Sequence, residues 1–284
     1  MHRPPAHESR HLWGVVLAGS LEGRRTRHAA GDRPALFRGA LERAARLIPA
    51  ERLVAVLTRG HSVSYDIDLT DLGRIQRVVQ PAWRGSAAET FLPVLKIVAA
   101  DPEALVALFP SSQLSDSEAR LMSQVTKAVA AAMTRPDLPV VIGTSPPGAD
   151  AGCAWIEPGP DIEGLESFAV RAVRRFVPRP SPAEAVALWE GDGLVNTGIV
   201  VAKARTLITL GIRHLPDVLE AFEPLSAAFG TPEEALLSEA VYEQMPYSAV
   251  AHALYVQTCE VAVLPVTNVR MWRDRATPAR AVAS

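Results

Sequence analysis

Residues 14–27 of this 284-residue chain read GVVLAGSLEGRRTR. An apolar run breaks into glycines and then into arginines. A buried strand that empties into such a loop can bring backbone N–H groups against a phosphate, because glycine lets the main chain approach the anion. Arg24, Arg25 and Arg27 add charge of the right sign. The chemistry served would be the binding or transfer of a phosphoryl group. Ser20, Leu21 and Glu22, however, stand where a cradle uses small neutral residues, and a carboxylate at Glu22 repels phosphate. The residues alone leave two readings open: a phosphate loop that has lost part of its fit, or a solvated basic turn after a core strand.

The rest of the chain narrows the setting. Hydrophobic residues make up 48%, enough for a sizeable core. Basic and acidic residues number 29 and 31, a net charge of −2, which gives no electrostatic reason to expect nucleic acid or an anionic membrane as partner. Two cysteines, Cys153 and Cys259, make neither a disulfide framework nor a zinc motif. No reactivity is assigned to Cys153. Residues 1–11 are polar and no run approaches a membrane span, so the expected location is the cytoplasm.

The elements that must position the loop alternate in kind. Strands are expected at 13–19, 52–58, 74–81, 103–110, 138–143 and 260–266, and helices at 34–48, 86–100 and 117–134, the last capped by Ser115 or Asp116. Pro93 falls inside the second helix. The second half is less regular. Strands with turns are expected over 151–159 and 166–180, and a short helix over 181–192, opened by Ser181 and Pro182. A loop running into a strand is expected at 195–204, and broken helices at 216–254. Strands alternating with helices imply a mostly parallel sheet covered on both faces. Ligands then bind at the carboxyl ends of the strands, so the loops after Leu17, Phe109 and Ile142 are the places to look. The end of the 103–110 strand is expected to face the same cleft as the 19–27 loop. Trp155, Trp189 and Trp272 are expected to pack in the core.

Several segments, in order, resemble the sugar-nucleotide pyrophosphorylases, in particular the mannose-1-phosphate guanylyltransferase branch of the nucleotidyltransferases. WGVVLAG with DRPALF (32–37) resembles that family's first loop and the segment after it. VQPAWRGSAAE (79–89) is similar to its base-recognition turn, and ALFPSSQ (107–113) to the strand end that carries a metal-binding aspartate. GCAWIEPG (152–159), VRRFVPRP (173–180) and GLVNTGIVVAK (193–203) are similar to its sugar-pocket segments. VRMWRDRATPARA (269–281) is similar to its closing tryptophan–aspartate segment.

The resemblance implies an α/β fold with a Rossmann-like mixed, mostly parallel sheet, spread over one domain of residues 12–280. Residues 12–143 would be the nucleotide half and 144–280 the sugar-phosphate half. The implied reaction joins a sugar 1-phosphate to a nucleoside triphosphate, with release of pyrophosphate and with Mg²⁺ as cofactor. Implied partners are GTP or another triphosphate and a sugar 1-phosphate. Arg24 takes the catalytic position. Ala18, Gly19, Ser20, Arg84 and Gly85 take nucleotide positions. Gly152, Glu157, Arg179, Asn196 and Gly198 take sugar positions, and Asp274 a metal position. The sequence departs from the family at chemically costly places. Ser112 replaces the first metal aspartate and Gln113 the histidine after it. Ala35 replaces a lysine, Pro178 and Arg179 replace a glutamate and a lysine, and Ser20 and Glu22 replace loop glycines. Each lost transition-state contact costs on the order of 3 kcal/mol, about 10²-fold in rate. The expectation is therefore a guanylyltransferase-like protein of weak or lost activity. The alternative is a non-catalytic paralogue that binds a nucleotide, a sugar nucleotide or a partner protein. A dinucleotide-binding oxidoreductase is disfavoured, because no G-x-G-x-x-G follows the first strand.

Overall fold

The computed structural model describes residues 8–18, 32–60, 73–111, 113–250, 260–267 and 271–273. Short apolar runs become strands buried on both faces: β1 (Leu12–Leu17), β2 (Leu53–Thr58) and β4 (Leu105–Pro110), with the more exposed β3 (Gln76–Gln80) at the edge. Further along lie β5 (Gln113–Ser115), β6 (Val140–Thr144), β7 (Trp155–Asp161), β8 (Arg171–Val177), β9 (Leu194–Lys203), β10 (Ala262–Val266) and β11 (Met271–Arg273). The helices are α1 (Asp32–Ala45), α2 (Ser86–Ala100), α3 (Glu118–Thr134), α4 (Pro182–Glu190), α5 (Ala204–His214), α6 (Pro216–Ala227) and α7 (Glu234–Gln244). Ser117, rather than Ser115 or Asp116, caps α3, and Ser115 supports it by accepting from the Ser117 N–H at 3.1 Å. Ser181 caps α4 as its sequence suggests. Pro93 lies inside α2, which runs unbroken from Ser86 to Ala100.

Nine strands form one sheet in the order β3-β2-β1-β4-β9-β6-β10-β8-β7, which runs through both halves of the chain. Side chains alternate across it. Val15, Val56, Leu108 and Val200 face a core made with α2, α5, α6 and α7. Val16, Ala55, Phe109 and Val201 face a second core made with α1 and α3. On that second face the buried Arg43 guanidinium of α1 grips the Glu118 carboxylate of α3, with contacts of 2.6 and 3.1 Å.

The expected mostly parallel sheet needs correction. β1, β2, β3 and β4 are mutually parallel and β6 is parallel to β10, but β9 runs antiparallel to both β4 and β6. β8 runs antiparallel to β10 and to β7. β7 returns to pair with β9 as well, so β9, β6, β10, β8 and β7 close into a five-stranded ring. A run of buried apolar residues looks the same in either direction, so the pattern locates strands without orienting them. Two further differences stand out. Residues 195–198 belong to β9 from its start rather than to a loop, and α5 was not anticipated at all.

α5 packs so closely on α2 that a Cβ on Gly211 would lie 2.7 Å from the Phe91 ring and 2.8 Å from Leu219. Gly211→Ala is expected to destabilise the protein by about 1–3 kcal/mol through overpacking, despite alanine's higher helix propensity. Gly39→Ala in α1, where the new methyl meets nothing within 4 Å, is expected to stabilise by about 0.5–1 kcal/mol. Urea unfolding of the two variants checks the opposite signs.

Candidate functional site

The buried polar side chains point to one edge of the sheet. Among the described residues they are Thr58, Gln80, Glu89, Thr90, Ser111, Thr144, Asn196 and Thr197, together with Arg43. All but Arg43 lie where β2, β3, β4 and β6 end, where β9 begins, or in the first turns of α2. Burying a polar group is unfavourable unless it is hydrogen-bonded, so this edge was built for something other than core packing. It is also the edge where open α/β sheets bind ligands.

The strand ends meet there in order. Leu17 pairs with Pro110, and the Ser111 N–H donates to the Leu17 carbonyl at 3.1 Å. Ala18 donates to Val56 at 3.3 Å, and Arg59 donates to Gln80 at 2.8 Å. The chain thus enters the 19–27 loop directly beside the point where β4 ends. Gly19, Ser20, Glu22 and Arg24, with Ser112 and Asp274, lie outside the described residues. Gln113 and Arg273, the sequence neighbours of Ser112 and Asp274, are paired across β5 and β11. Ala35 is exposed in the first turn of α1.

The turn after β3 is held by the protein itself. Arg84 donates from Nε to the Tyr242 carbonyl at 2.6 Å and from Nη2 to the Glu243 carbonyl at 3.2 Å. The Ala87 N–H at the start of α2 donates to the Ser248 carbonyl at 3.1 Å, and the Ser248 N–H donates back to Arg84 at 3.2 Å. Gly85 has φ +89°, and a Cβ there would lie 2.2 Å from the Ser248 oxygen. Behind the turn, the Tyr242 hydroxyl donates to Gln80 Oε1 at 3.0 Å. Burial, and secondarily the nearby Glu89 carboxylate, push the Tyr242 phenol far above its ordinary value, so it remains a donor. The Gln80 amide nitrogen and the Trp83 indole nitrogen are buried without a hydrogen-bond partner among the described residues.

The sugar-like segments divide into two groups. Asn196 and Gly198 sit at the edge. Asn196 Oδ1 accepts from the Gly198 N–H at 3.0 Å, and Gly198, at φ +79°, lies against Pro110. Thr197 donates to the Ile142 carbonyl at 2.7 Å. The Asn196 N–H donates to Ala154 at 2.8 Å, bringing the Gly152 turn alongside. Gly152 itself donates to Asp150 at 2.8 Å. Glu157 instead pairs with Arg174 at 3.1 Å and Arg175 at 3.2 Å, and Arg175 also reaches Glu184 at 2.9 Å. Arg179 is exposed beyond β8. Trp155 is fully buried as expected, but Trp189 is 45% exposed, a correction to its reading as a packing residue. The face of α4 that packs carries Ala185 and Leu188, which turns Trp189 outward. The buried Gln80–Tyr242 pair was missed. Its one signal was a glutamine closing the otherwise apolar end of a strand.

Among the described residues, no group of three His, Cys, Asp or Glu side chains could hold a metal ion. None of the described helices is long and apolar enough to cross a membrane.

The fold is similar to that of several solved structures. Over 92% of the chain it matches the structure described as mannose-1-phosphate geranyltransferase from Thermus thermophilus, covering 76% of that chain, with TM-score 0.74 and 22% identity. It matches mannose-6-phosphate isomerase from Helicobacter pylori over 92% of this chain and 99% of that one, with TM-score 0.70 and 17% identity. HddC from Yersinia pseudotuberculosis, complexed with GMP-PN, matches over 92% of each chain, with TM-score 0.50 and 10% identity. At these identities what is shared is the fold. No protein-family model matches the chain, and no curated protein matches its sequence.

The turn after β3 yields two expectations. Gly85→Ala combines a positive φ with a backbone collision and is expected to cost more than about 2 kcal/mol. Tyr242→Phe, which leaves Gln80 Oε1 buried without its donor, is expected to cost about 1–3 kcal/mol. Chemical denaturation of both variants measures these losses.

Proposed function

We propose that this protein binds a nucleoside triphosphate and a sugar 1-phosphate at the carboxyl edge of its sheet, GTP and mannose 1-phosphate in the first instance. On this reading it transfers the nucleotidyl group weakly or not at all. The observation that carries the reading is the convergence at that edge. The ends of β1 and β4 are hydrogen-bonded where the arginine-bearing loop and the Ser112 segment begin, and Asn196 and Gly198 lie against the same strand end. Among the similar structures, two are named for mannose phosphates and one is a complex with GMP-PN, which supports the choice of ligands.

The reading of weak transfer rests on side-chain chemistry. Attack of one phosphate on another brings two anions together and needs cations to offset the charge. The resemblance puts a carboxylate pair around Mg²⁺, and here the pair is Ser112 and Asp274. A serine hydroxyl is a neutral ligand where Mg²⁺ takes carboxylate oxygens, so this pair does not fit the ion. Ala35 supplies no ammonium, and Glu22 opposes a triphosphate. Arg24 is left to hold phosphate.

Pyrophosphate release from GTP and mannose 1-phosphate, with Mg²⁺ present, is expected to fall well below ordinary turnover of about 1–10³ per second. Ser112→Asp alone is expected to recover little. Combined with Ala35→Lys, Ser20→Gly and Glu22→Gly, it is expected to raise release above the parent. Arg24→Ala is expected to weaken GTP binding by about 1–3 kcal/mol in calorimetric titration. Ordinary turnover by the unmodified protein would overturn the reading of weak transfer, and GTP binding untouched by Arg24→Ala would remove the role given to that arginine.

A further inference from the structure

The mouth of the five-stranded ring holds a cleft of about 320 Å³. Every strand of the ring contributes to it: Ser145 just after β6, Pro265 on β10, Arg171 on β8, Pro158 on β7 and Leu194 on β9. Trp189 at the end of α4 and Asp192 in the following turn complete the wall. Barrel mouths are recurrent small-molecule sites, and this volume sits at the small end of such pockets. That volume suits a hexose phosphate.

The groups in this wall differ from those elsewhere in the ring. Glu157, Arg174, Arg175 and Glu184 neutralise one another. Asp192 has no ion pair among the described residues, and Arg171 makes a long, exposed ion pair of 3.9 Å with Asp161, weak enough to yield to a ligand anion. The Trp189 ring is 45% exposed beside the cleft, and its indole N–H meets no described partner. Asp192 is fixed in the left-handed region at φ 59°. The Gly193 N–H anchors that turn on the Leu188 carbonyl at 2.7 Å, and a Cβ on Gly193 would meet the same oxygen at 2.6 Å. Asp192 thus takes the left-handed position that ends α4, a conformation aspartate tolerates, and the turn fixes its backbone beside the cleft.

We propose that the ring mouth binds a phosphorylated hexose. The apolar C–H face of the sugar lies on Trp189, its hydroxyls donate to the Asp192 carboxylate, and its phosphate is held by the Arg171 guanidinium. An aromatic face with an acceptor and a cation in the same wall suits a ligand that carries both hydroxyl donors and an anion. The cleft contains none of Gly152, Glu157, Arg179, Asn196 or Gly198, so the site goes beyond the nucleotidyl reading and stands without it.

Titration calorimetry on the full chain tests this with mannose 1-phosphate, glucose 6-phosphate, mannose, inorganic phosphate and GMP as separate probes. One or both hexose phosphates are expected to bind at least about tenfold more tightly than mannose or phosphate alone. Trp189→Ala is expected to weaken them about tenfold or more, and Trp189→Phe, which keeps an aromatic face, to stay within about threefold of the parent. Arg171→Gln is expected to abolish the preference for the phosphorylated sugar, and Asp192→Asn to weaken binding of both forms. The side chains are at the surface, so unchanged thermal unfolding accompanies these losses. GTP titration of the same variants, expected unchanged, separates this site from the strand-end site. The proposal is overturned if no hexose phosphate binds, or if binding is equal in Trp189→Ala and the parent. It is also overturned if GMP binds at Trp189. Binding lost in Asn196→Ala and Glu157→Gln but kept in Trp189→Ala would put the sugar at the strand-end positions, overturning this proposal and leaving the nucleotidyl reading intact.

Discussion

β9 belongs to two structures at once, and the arrangement of both halves depends on how it meets that demand. On one side it pairs with β4 and extends the parallel strands that deliver the 19–27 loop. On the other it pairs with β6 and β7 and closes the ring. A flat strand cannot follow both, and the conflict is absorbed at Asn196, Thr197 and Gly198. The register with β6 shifts between Val141 and Gly143, Gly198 takes a positive φ, and the Thr197 hydroxyl donates to Ile142 while accepting from the Ile199 N–H. Bulges of this kind bend a strand and turn side chains toward a new direction. Here the bend places Gly198 against Pro110 at the end of β4, so the same irregularity that joins the halves also sets the floor of the strand-end site.

The charged groups divide along the same seam. On the outside of the ring, Glu157 and Glu184 are met by Arg174 and Arg175. Exposed pairs of this sort are worth at most about 1 kcal/mol each, and they do more to orient β7, β8 and α4 than to stabilise them. At the strand-end edge the opposite holds. The Thr197 hydroxyl and the Asn196 and Gln80 amide oxygens are satisfied by neighbouring groups of the protein, which fixes the turns that carry them. The Arg84 turn shows this most directly. Its guanidinium closes on two carbonyls of the α7 terminus, and its glycine admits the Ser248 carbonyl.

The strands and most helices were legible because each buries a continuous or periodic apolar face, as LVAVLT and LVALFP do. Strand direction was not legible. LVNTGIVVAK reads alike as parallel or antiparallel, and neither its reversal nor the ring leaves a local mark. α5 was missed because ARTLITLGIRH is rich in β-branched residues and carries a glycine, both poor helix formers, while its helical face is set by Phe91 and Leu219 elsewhere in the chain. The order of the site segments was readable as a resemblance. Their partnerships were not: Glu157 looks the same in sequence whether it meets a sugar or two arginines. Trp189 looked like core because tryptophan usually is. Only the position of Leu188 and Ala185 on α4 turns it outward.

The same division separates the positions that the fold constrains from those that it leaves open. The residues that hold the edge together, Thr197, Asn196, Tyr242 and Gly85, are bonded or packed internally, and each replacement costs folding free energy. The first turn of α1 is different. Ala35 is exposed there, where alanine is the best helix former and no buried partner depends on it. Exchange of alanine for a longer polar side chain at that position costs the fold little. Catalytic groups held in solvent or aimed at a ligand contribute little to stability and often oppose it. Drift at such positions is therefore unopposed by folding, whereas drift at the bulge or at the Arg84 turn is not. The geometry of the strand-end turns is therefore fixed by the fold itself, whereas the chemistry of an exposed position such as Ala35 is not.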